Sequence, residues 1–551
     1  MNSNYSNYKL DLFVGREKEL KFLGELFDLA WDNKGSFVLI EGETGIGKTR
    51  LTEEFLKSIR SQEVTVIRGH GYHKEISPYR LFSEMFRNYF SSINYDTRYL
   101  ALLLDNLTIV NLEKIVPELR EYIPFDTSRI ATSPLPPKEE KQRFYDTLLL
   151  FFLKLSHRSP LVVNIEDLHW LEPDTFELLR YLVHNFRKAP ILVIATARGL
   201  EHDSFADNWI SGLEDQRLVR RIKLSTLIPE EVKSLVEAFF NQELSESFLK
   251  WLLGYTAGNP LFIHETLRAG IEQNAFFFDP VESRWEIKRE YVENILEPAT
   301  IQSVIQRRLQ GLDKESRKVL GLAAVVGDKF DLQTLQKISK ISSTRLRRTK
   351  EDLIIRNLLQ KQSEKDAEEE IYRFTHHIIR LHLYQELDPE FKLNMHHRIA
   401  LILEKECGKN KEKLFQRVED LAHHYSRGKK DGISLKKTVS FLTQAGLKAQ
   451  KQYSESKAEQ YYDQAIGFLE SCPSSKDKDR KLFQVLENLG EVETALGKQD
   501  MAIRSYQKAL KIGRTHNLLP RFKEAQIHRK IGYAYPIWNM RNLLPPVIVW
   551  A

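Results

Sequence analysis

The sequence predicts a doubly wound α/β domain followed by a helical lid, a winged-helix domain and all-α tetratricopeptide-like repeats. Three observations carry that prediction. Apolar strand-like runs alternate with amphipathic helical stretches as far as Leu224, the pattern of a parallel sheet covered on both faces. One such strand enters a glycine-rich turn and then a helix, over residues 37–51. Beyond Phe391 the pattern is helical throughout, and it repeats itself.

The glycine-rich turn comes first because its chemistry is the most specific. Phe37 to Ile40 is a short apolar strand, and Leu51, Phe55, Leu56 and Ile59 fall on one face of the following helix. Between them, Gly42, Glu43, Thr44, Gly45, Ile46, Gly47, Lys48 and Thr49 spell G-x-x-x-x-G-K-T, with Arg50 in the first helical turn. Strand, loop and helix together are the context a P-loop requires. The glycines let successive N–H groups turn toward phosphate oxygens. The helix adds the positive end of its dipole. Lys48 is expected at the β- and γ-phosphates, and Thr49 on Mg²⁺.

The remaining elements follow in chain order. Leu20, Leu23, Leu26, Phe27 and Ala30 mark a helix after Phe13-Val14-Gly15-Arg16-Glu17. Val64 to Arg68 reads as a strand that Gly69-His70-Gly71 ends. Residues 77–155 read as helical, with a Pro- and Ser-rich loop over 129–138. Leu161 to Ile165 is a buried strand ending in Glu166-Asp167, acids placed to hold Mg²⁺ and orient water at the carboxyl edge of the sheet. His169, just beyond, has no partner spacing for a metal and reads as structural. Ile191 to Thr196 is another strand, and Arg198 at its end is placed to sense a γ-phosphate. Ile222 to Leu224 is the expected last strand, and no further strands are expected after Pro229 until a two-stranded wing. That wing is read from Ile354 to Gln362 and Ile371 to Phe374, with a charged tip between. Short helices before it complete a winged-helix pattern. Lys337, Lys340, Arg345, Arg347, Arg348, Lys350 and Arg356 make the segment basic; a solvated face is the favoured reading and DNA contact the alternative.

In the helical C-terminal stretch, Gly446, Ala458, Tyr462 and Ala465 recur as Gly490, Ala502, Tyr506 and Ala509. The period is a tetratricopeptide length plus an insertion. Gly532 and Tyr535 restart the pattern. Pro536, Pro545 and Pro546 then interrupt it, and the end Val547 to Ala551 is not the polar cap that stacked repeats need. A truncated or frame-shifted C-terminus is the expectation. The domain boundaries expected are 1–228 for the NTPase domain with a helical insertion near 78–157, 229–297 for the lid, 298–390 for the winged helix, 391–535 for the repeats and 536–551 for the tail.

Composition bounds the function class. A chain of 551 residues is too long for one core. A hydrophobic share of 42% and a charged share of 29% describe a folded, soluble chain. A net charge of +6 is too mild at this length to argue for nucleic acid. Cys407 and Cys472 are too few for a disulfide framework and fit a reducing cytoplasm. No apolar run is long enough to span a bilayer, and residues 1–8 are no signal peptide.

The ordered set Val14-Gly15-Arg16-Glu17, Gly42 to Thr49, Glu166 to Trp170, Thr196-Ala197-Arg198, Gly258-Asn259-Pro260 and Arg373-Phe374-Thr375-His376 resembles the bacterial STAND-class signalling ATPases. The resemblance is to their AAA-like branch, found in large LuxR-type regulators and in multidomain class III adenylyl cyclases and kinases. It implies that Val14, Gly15 and Arg16 lie near adenine and that Gly42 to Thr49 cradle the phosphates. It implies Glu166 and Asp167 as the acidic pair for Mg²⁺ and water, and Arg198 as the γ-phosphate sensor. Pro260 would touch the base or ribose, and His376 the β-phosphate in an ADP-bound closed state. Glu166 stands where Asp is the general choice, which points to slow hydrolysis. The family's usual output module is not recognised before Phe13 or after the repeats. The expected function is an ADP/ATP switch with slow Mg²⁺-dependent hydrolysis, nucleotide-dependent self-assembly, and repeats that sense a small molecule or a protein. The alternatives are a DNA-binding regulator, a non-hydrolysing scaffold and a decayed remnant.

Overall fold

In the computed structural model the residues described are 12–60, 62–72, 77–92, 104–117, 119, 135–199, 204–241, 243–273, 275–279, 284–288, 300–356, 358–362, 370–375, 377–408, 410–516 and 519–534. His376, Tyr535, the tip over 363–369 and the tail 536–551 lie outside them. The chain divides into two compact units. The first comprises 1–73, 149–171 and 179–317; the second comprises 74–148, 172–178 and 318–551.

The first unit is built on a five-stranded sheet. α1 (Glu17–Trp31) leads into β1 (Ser36–Glu41), α2 (Lys48–Ser58) and β2 (Thr65–His70). α3 (Arg80–Ser92), α4 (Asn106–Glu113) and α5 (Pro137–Ser156) lie in sequence between β2 and β3 (Leu161–Glu166), and their residues up to 148 belong to the second unit. α6 (Pro173–Phe186), β4 (Ile191–Ala197), α7 (Phe205–Asp215) and β5 (Val219–Lys223) complete the alternation. The strand order is β2-β3-β4-β1-β5, all parallel. β4 is buried along its whole length, whereas β5 at the sheet edge buries Val219 and Ile222 and leaves Arg220 and Lys223 exposed. That contrast is why the central strands read as continuous apolar runs and β5 does not. It also explains a boundary error: β5 starts at Val219, three residues before the expected Ile222, because Arg220 and Arg221 mask it. Similarly, β2 runs on through Gly69 and His70, which were expected to end it. Leu23, Leu26 and Phe27 of α1 pack with Leu51 and Phe55 of α2 against Val38, Ile40 and Ile194.

α8 (Pro229–Phe240), α9 (Glu246–Thr256) and α10 (Pro260–Glu272) follow with their own apolar cluster around Val236, Phe248 and Ile263. The expectation that strands stop here is corrected by an antiparallel hairpin, β6 (Phe276–Asp279) with β7 (Arg284–Ile287). Its Phe276-Phe277-Phe278 run has the aromatic content of a strand, and Phe276 packs on Phe240 and Phe248. α11 (Ile301–Leu309) closes the unit, with Arg308 paired to the buried Glu265 of α10.

α12 (Lys314–Val326) leads into the second unit, where β8 (Lys329–Asp331), α13 (Leu332–Ser339), α14 (Ser343–Ile355), β9 (Leu359–Gln362) and β10 (Ile371–Phe374) follow. β8, β10 and β9 form a three-stranded antiparallel sheet in that order. Ile354 belongs to α14 and not to the expected wing strand, since the Asp352–Arg356 pair at 2.9 Å holds the last helical turn.

From there the described residues are helical: α15 (His377–Glu386), α16 (Pro389–Cys407), α17 (Lys411–Gln416), α18 (Val418–Arg427), α19 (Gly432–Lys451), α20 (Glu455–Glu470), α21 (Lys476–Ala495), α22 (Gln499–Thr515) and α23 (Arg521–Ala534). The recurring glycines have a direct cause. A Cβ on Gly446 would lie 2.5 Å from the Tyr462 ring, and one on Gly490 would lie 2.6 Å from the Tyr506 ring. Each glycine lets one helix of a hairpin seat the tyrosine of the next. Gly532 has nothing within 4 Å of such an atom. The helices of 77–148 pack onto this array. Tyr79 donates to the Tyr453 carbonyl at 3.0 Å, and Lys114 to the Tyr453 hydroxyl at 2.8 Å. No described helix is long and apolar enough to cross a membrane.

Candidate nucleotide site at the carboxyl edge of the sheet

The topology determines which residues meet. β4 lies between β1 and β3, so its end falls between the phosphate loop and the acidic pair. Glu41, the last residue of β1, is in register with Ala197, one residue before Arg198. Glu166, the last residue of β3, is in register with His70, the last of β2. Aligned ends of parallel strands are where ligands bind in such sheets.

The loop itself is shaped for an anion. Gly45 and Gly47 have φ of 83° and 100°, conformations that side-chain-bearing residues rarely adopt. α2 begins after Gly47 with no side-chain cap, so its first N–H groups are left for an external acceptor. Lys48 Nζ donates to the Gly42 carbonyl at 2.8 Å and to the Glu43 carbonyl at 2.9 Å. An ammonium has three donors, so one remains for a phosphate. Burial lowers the Lys48 pKa to about 8, Asp167 and Glu43 oppose the shift, and Arg198 adds to it. Thr49 is exposed at the start of α2, and Arg50 pairs with Glu54 at 2.9 Å.

The acids form a second group. Asp167 sits at φ 54°, just past the strand, and its N–H is held by the Thr196 hydroxyl at 3.1 Å. Burial raises its carboxyl above the ordinary range; His70, Arg198 and Lys48 oppose this, and Glu166 reinforces it. Asp167 is thus the electrostatic centre of the edge. Arg198 is partly buried, its pKa lowered by burial against the pull of Asp167, and it lies 5.8 Å from the Trp170 ring centroid. Its N–H reaches His169 Nδ1 at 3.4 Å, consistent with a positioning role for His169. The oxygens of Thr49 and Glu166 are donors that suit a hard cation such as Mg²⁺.

His70 escaped the sequence reading. Its Nδ1 lies 3.7 Å from Glu166 Oε2 and its Nε2 lies 3.7 Å from Asp167 Oδ2. The signal was present in the parallel register, which sets the ends of β2 and β3 side by side. Asn259 was also missed as an individual contact. Its amide donates to the Thr44 carbonyl at 3.1 Å while its oxygen caps α10 at Leu261 N, 3.0 Å. Leu261 N also lies 3.2 Å from the Gly45 carbonyl. Pro260 occupies the first turn of α10, where its fixed φ suits a helix start. Val14, Gly15 and Arg16 form the entry to α1. Gly15 and Arg16 are both at φ 72°, Arg16 donates to the Ser225 carbonyl, and Gly15 packs against Glu231 of α8.

Residues 12–194 match the AAA ATPase domain. Together with the geometry above, the match supports a nucleotide-dependent ATPase. An uncharacterized protein of Rhizobium meliloti is 25% identical over 331 residues, covering 59% of this chain and 30% of that one. Hybrid signal transduction histidine kinase G of Dictyostelium discoideum is 21% identical over 426 residues, covering 62% and 12%. The chain therefore spans a third or less of the length of these curated relatives. Among solved structures, a signal transduction ATPase with numerous domains (STAND) and a tetratricopeptide repeat sensor, from Pyrococcus horikoshii, is similar at 14% identity. That likeness covers 97% of this chain and 82% of that one, with a TM-score of 0.41.

Proposed function

We propose that the chain is a STAND-type nucleotide switch. ATP and Mg²⁺ bind the sheet edge, with Lys48 and the loop N–H groups on the phosphates, Thr49 and Glu166 on the metal, Asp167 orienting water and Arg198 sensing the γ-phosphate. Mg²⁺ neutralises the phosphate charge when bound. Val14 to Arg16 and Pro260 would flank the base and ribose, and His376 would latch the ADP state. Residues 229–297 act as the lid, 298–390 as a winged-helix domain and 391–535 as tetratricopeptide-like repeats that receive an inducer or a protein. Hydrolysis is a slow reset, and ATP favours self-assembly. A ligand shifts such an equilibrium only by its differential affinity for the two states.

One observation carries this reading above a constitutive ATPase: the first turn of α10 is bonded to the phosphate loop through Asn259–Thr44 and Leu261–Gly45. A helix attached to the loop gives phosphate occupancy a mechanical outlet. The test is ATP and ADP binding, turnover and molecular mass on one purified sample, beside Lys48→Ala. Tight ADP retention, slow turnover and a mass increase only with ATP are expected. Equal affinities with no change of mass would sink the switch and leave a scaffold. A second reading, DNA binding, draws on the exposed Arg345, Arg347 and Arg348 of α14. It requires strongly salt-dependent binding to duplex DNA.

A further inference from the structure

In the second unit, α18, α19 and α20 line a cavity of about 460 Å³. Its polar lining includes His423, Ser426 and Arg427 of α18 and Lys457, Tyr461 and Gln464 of α20. Beside it, His396 of α16 joins His423 and His424, with ligand nitrogens all within 4.8 Å of one another. By donor type, three imidazoles suit a transition metal. Their surroundings do not. His396 Nδ1 is 2.9 Å from His424 Nδ1, and its Nε2 is 2.9 Å from the Tyr384 hydroxyl. Arg427 donates to His423 Nδ1. Arg380 and Lys430 add two more cations near the rings. A divalent ion would enter a field that is already positive.

The charges around the cavity are compensated unequally. Arg380 pairs with Asp328 at 3.1 Å. Lys430 donates to the Tyr425 carbonyl at 2.8 Å and also to the Ser426 carbonyl, with its ammonium 4.5 Å from the Phe468 ring centroid. Lys457 forms an ion pair with Glu172 at 3.8 Å. Arg427 is partly buried, and among the described residues no carboxylate pairs with it; its hydrogen-bond partner is a neutral ring. An unbalanced guanidinium out of bulk water is costly unless an anion meets it. Its planar fork matches a carboxylate or phosphate bidentately.

We propose that this cavity binds a small anion bearing a carboxylate or phosphate group, held by Arg427 and Lys457 with Tyr461 and Phe468 against its apolar part. As the signal of a switch, this anion rests on the preceding reading; as a binding site, it does not.

The test uses the full chain carrying Lys48→Ala, so that the phosphate loop competes weakly, titrated calorimetrically with inorganic phosphate and separately with malonate. Saturable one-to-one binding of at least one anion is expected, and which one saturates separates the phosphate from the carboxylate source. Adding Arg427→Gln should weaken binding about 10- to 100-fold, the weight of a hydrogen bond to a charged group. Arg427→Lys should restore part of it, and Arg504→Gln, at an exposed position of α22, should change nothing. Arg427→Gln should melt no lower than its parent, because it removes an unbalanced charge. Should that variant fail to fold, Lys457→Gln provides the same comparison. Saturation by neither anion, or affinity indifferent to both substitutions, overturns the site. So does an affinity loss that tracks a lowered melting temperature. Nucleotide binding by the unsubstituted chain is read in parallel. A failed cavity with intact ADP/ATP discrimination sinks this inference alone, whereas a working cavity without that discrimination sinks the switch alone.

Discussion

The sheet edge and the cavity of the helical array use the same cationic residue types under opposite rules. At the edge, positive and negative groups interleave. Lys48, Arg198 and His70 surround Asp167 and Glu166, and Arg221 is held by Glu41 at 3.2 Å and Glu214 at 2.6 Å. In the helical array, Arg427 meets the His423 ring, and among the described residues no carboxylate pairs with it. The edge is balanced from within, so it can be rigid before its ligand arrives. At the cavity, Arg380 and Lys457 have carboxylate partners and Arg427 has none among the described residues.

The largest effect is expected from Lys48→Ala. It removes the donor left for phosphate and both ties to the loop carbonyls, so ATP affinity should fall about 100-fold or more, measured by calorimetry. The anion response of the cavity should be untouched. Next is Asp167→Asn. Turnover should drop about 100-fold while ATP binding persists, the usual weight of a positioned proton acceptor. If Glu166→Gln gives that pattern instead, the two acids exchange roles.

Acid sharpens the contrast from the other side. Burial, then Arg427, Arg380 and Lys430, hold His396 down at about 3. His423 and His424 are pushed the same way, by burial first. These folded-state values lie below the unfolded value near 6.5, so the unfolded chain takes up protons first as pH falls. The contribution is full above about pH 6.5 and is lost toward pH 3. At pH 5 the His396 ring alone should cost about 2 kcal/mol, and His423 and His424 act in the same direction. Melting followed by circular dichroism at pH 7.5 and pH 5 checks this. Gly490→Ala, overpacking on Tyr506, should cost about 1–3 kcal/mol without altering ADP affinity. Gly532→Ala, in open space, should stabilise by up to about 1 kcal/mol.

What the sequence revealed follows the same physics. Buried strands and the phosphate loop were legible because both rest on local patterns: apolar runs, and glycines where φ is positive. Glu166, Asp167 and Arg198 were legible as strand ends. His70 was not, because its meaning depends on a register between β2 and β3 that lie about 90 residues apart in sequence. The β6–β7 hairpin was missed because its four-residue strands sit after a long helical stretch. Arg427 did not stand out in the sequence, since having no carboxylate partner among the described residues is a property of packing.

The bonds from the first turn of α10 to Thr44 and Gly45 have a thermodynamic consequence. Two bodies joined at their carbonyls and amides share one free energy. If turning α10 changes the grip on a γ-phosphate, then adding or removing that phosphate turns α10 with the same force, in the reverse direction. In the proposed switch the pair Asn259 and Leu261 would work as a two-way gearing, so that whatever leans on the helix would read the nucleotide as surely as the nucleotide moves the helix.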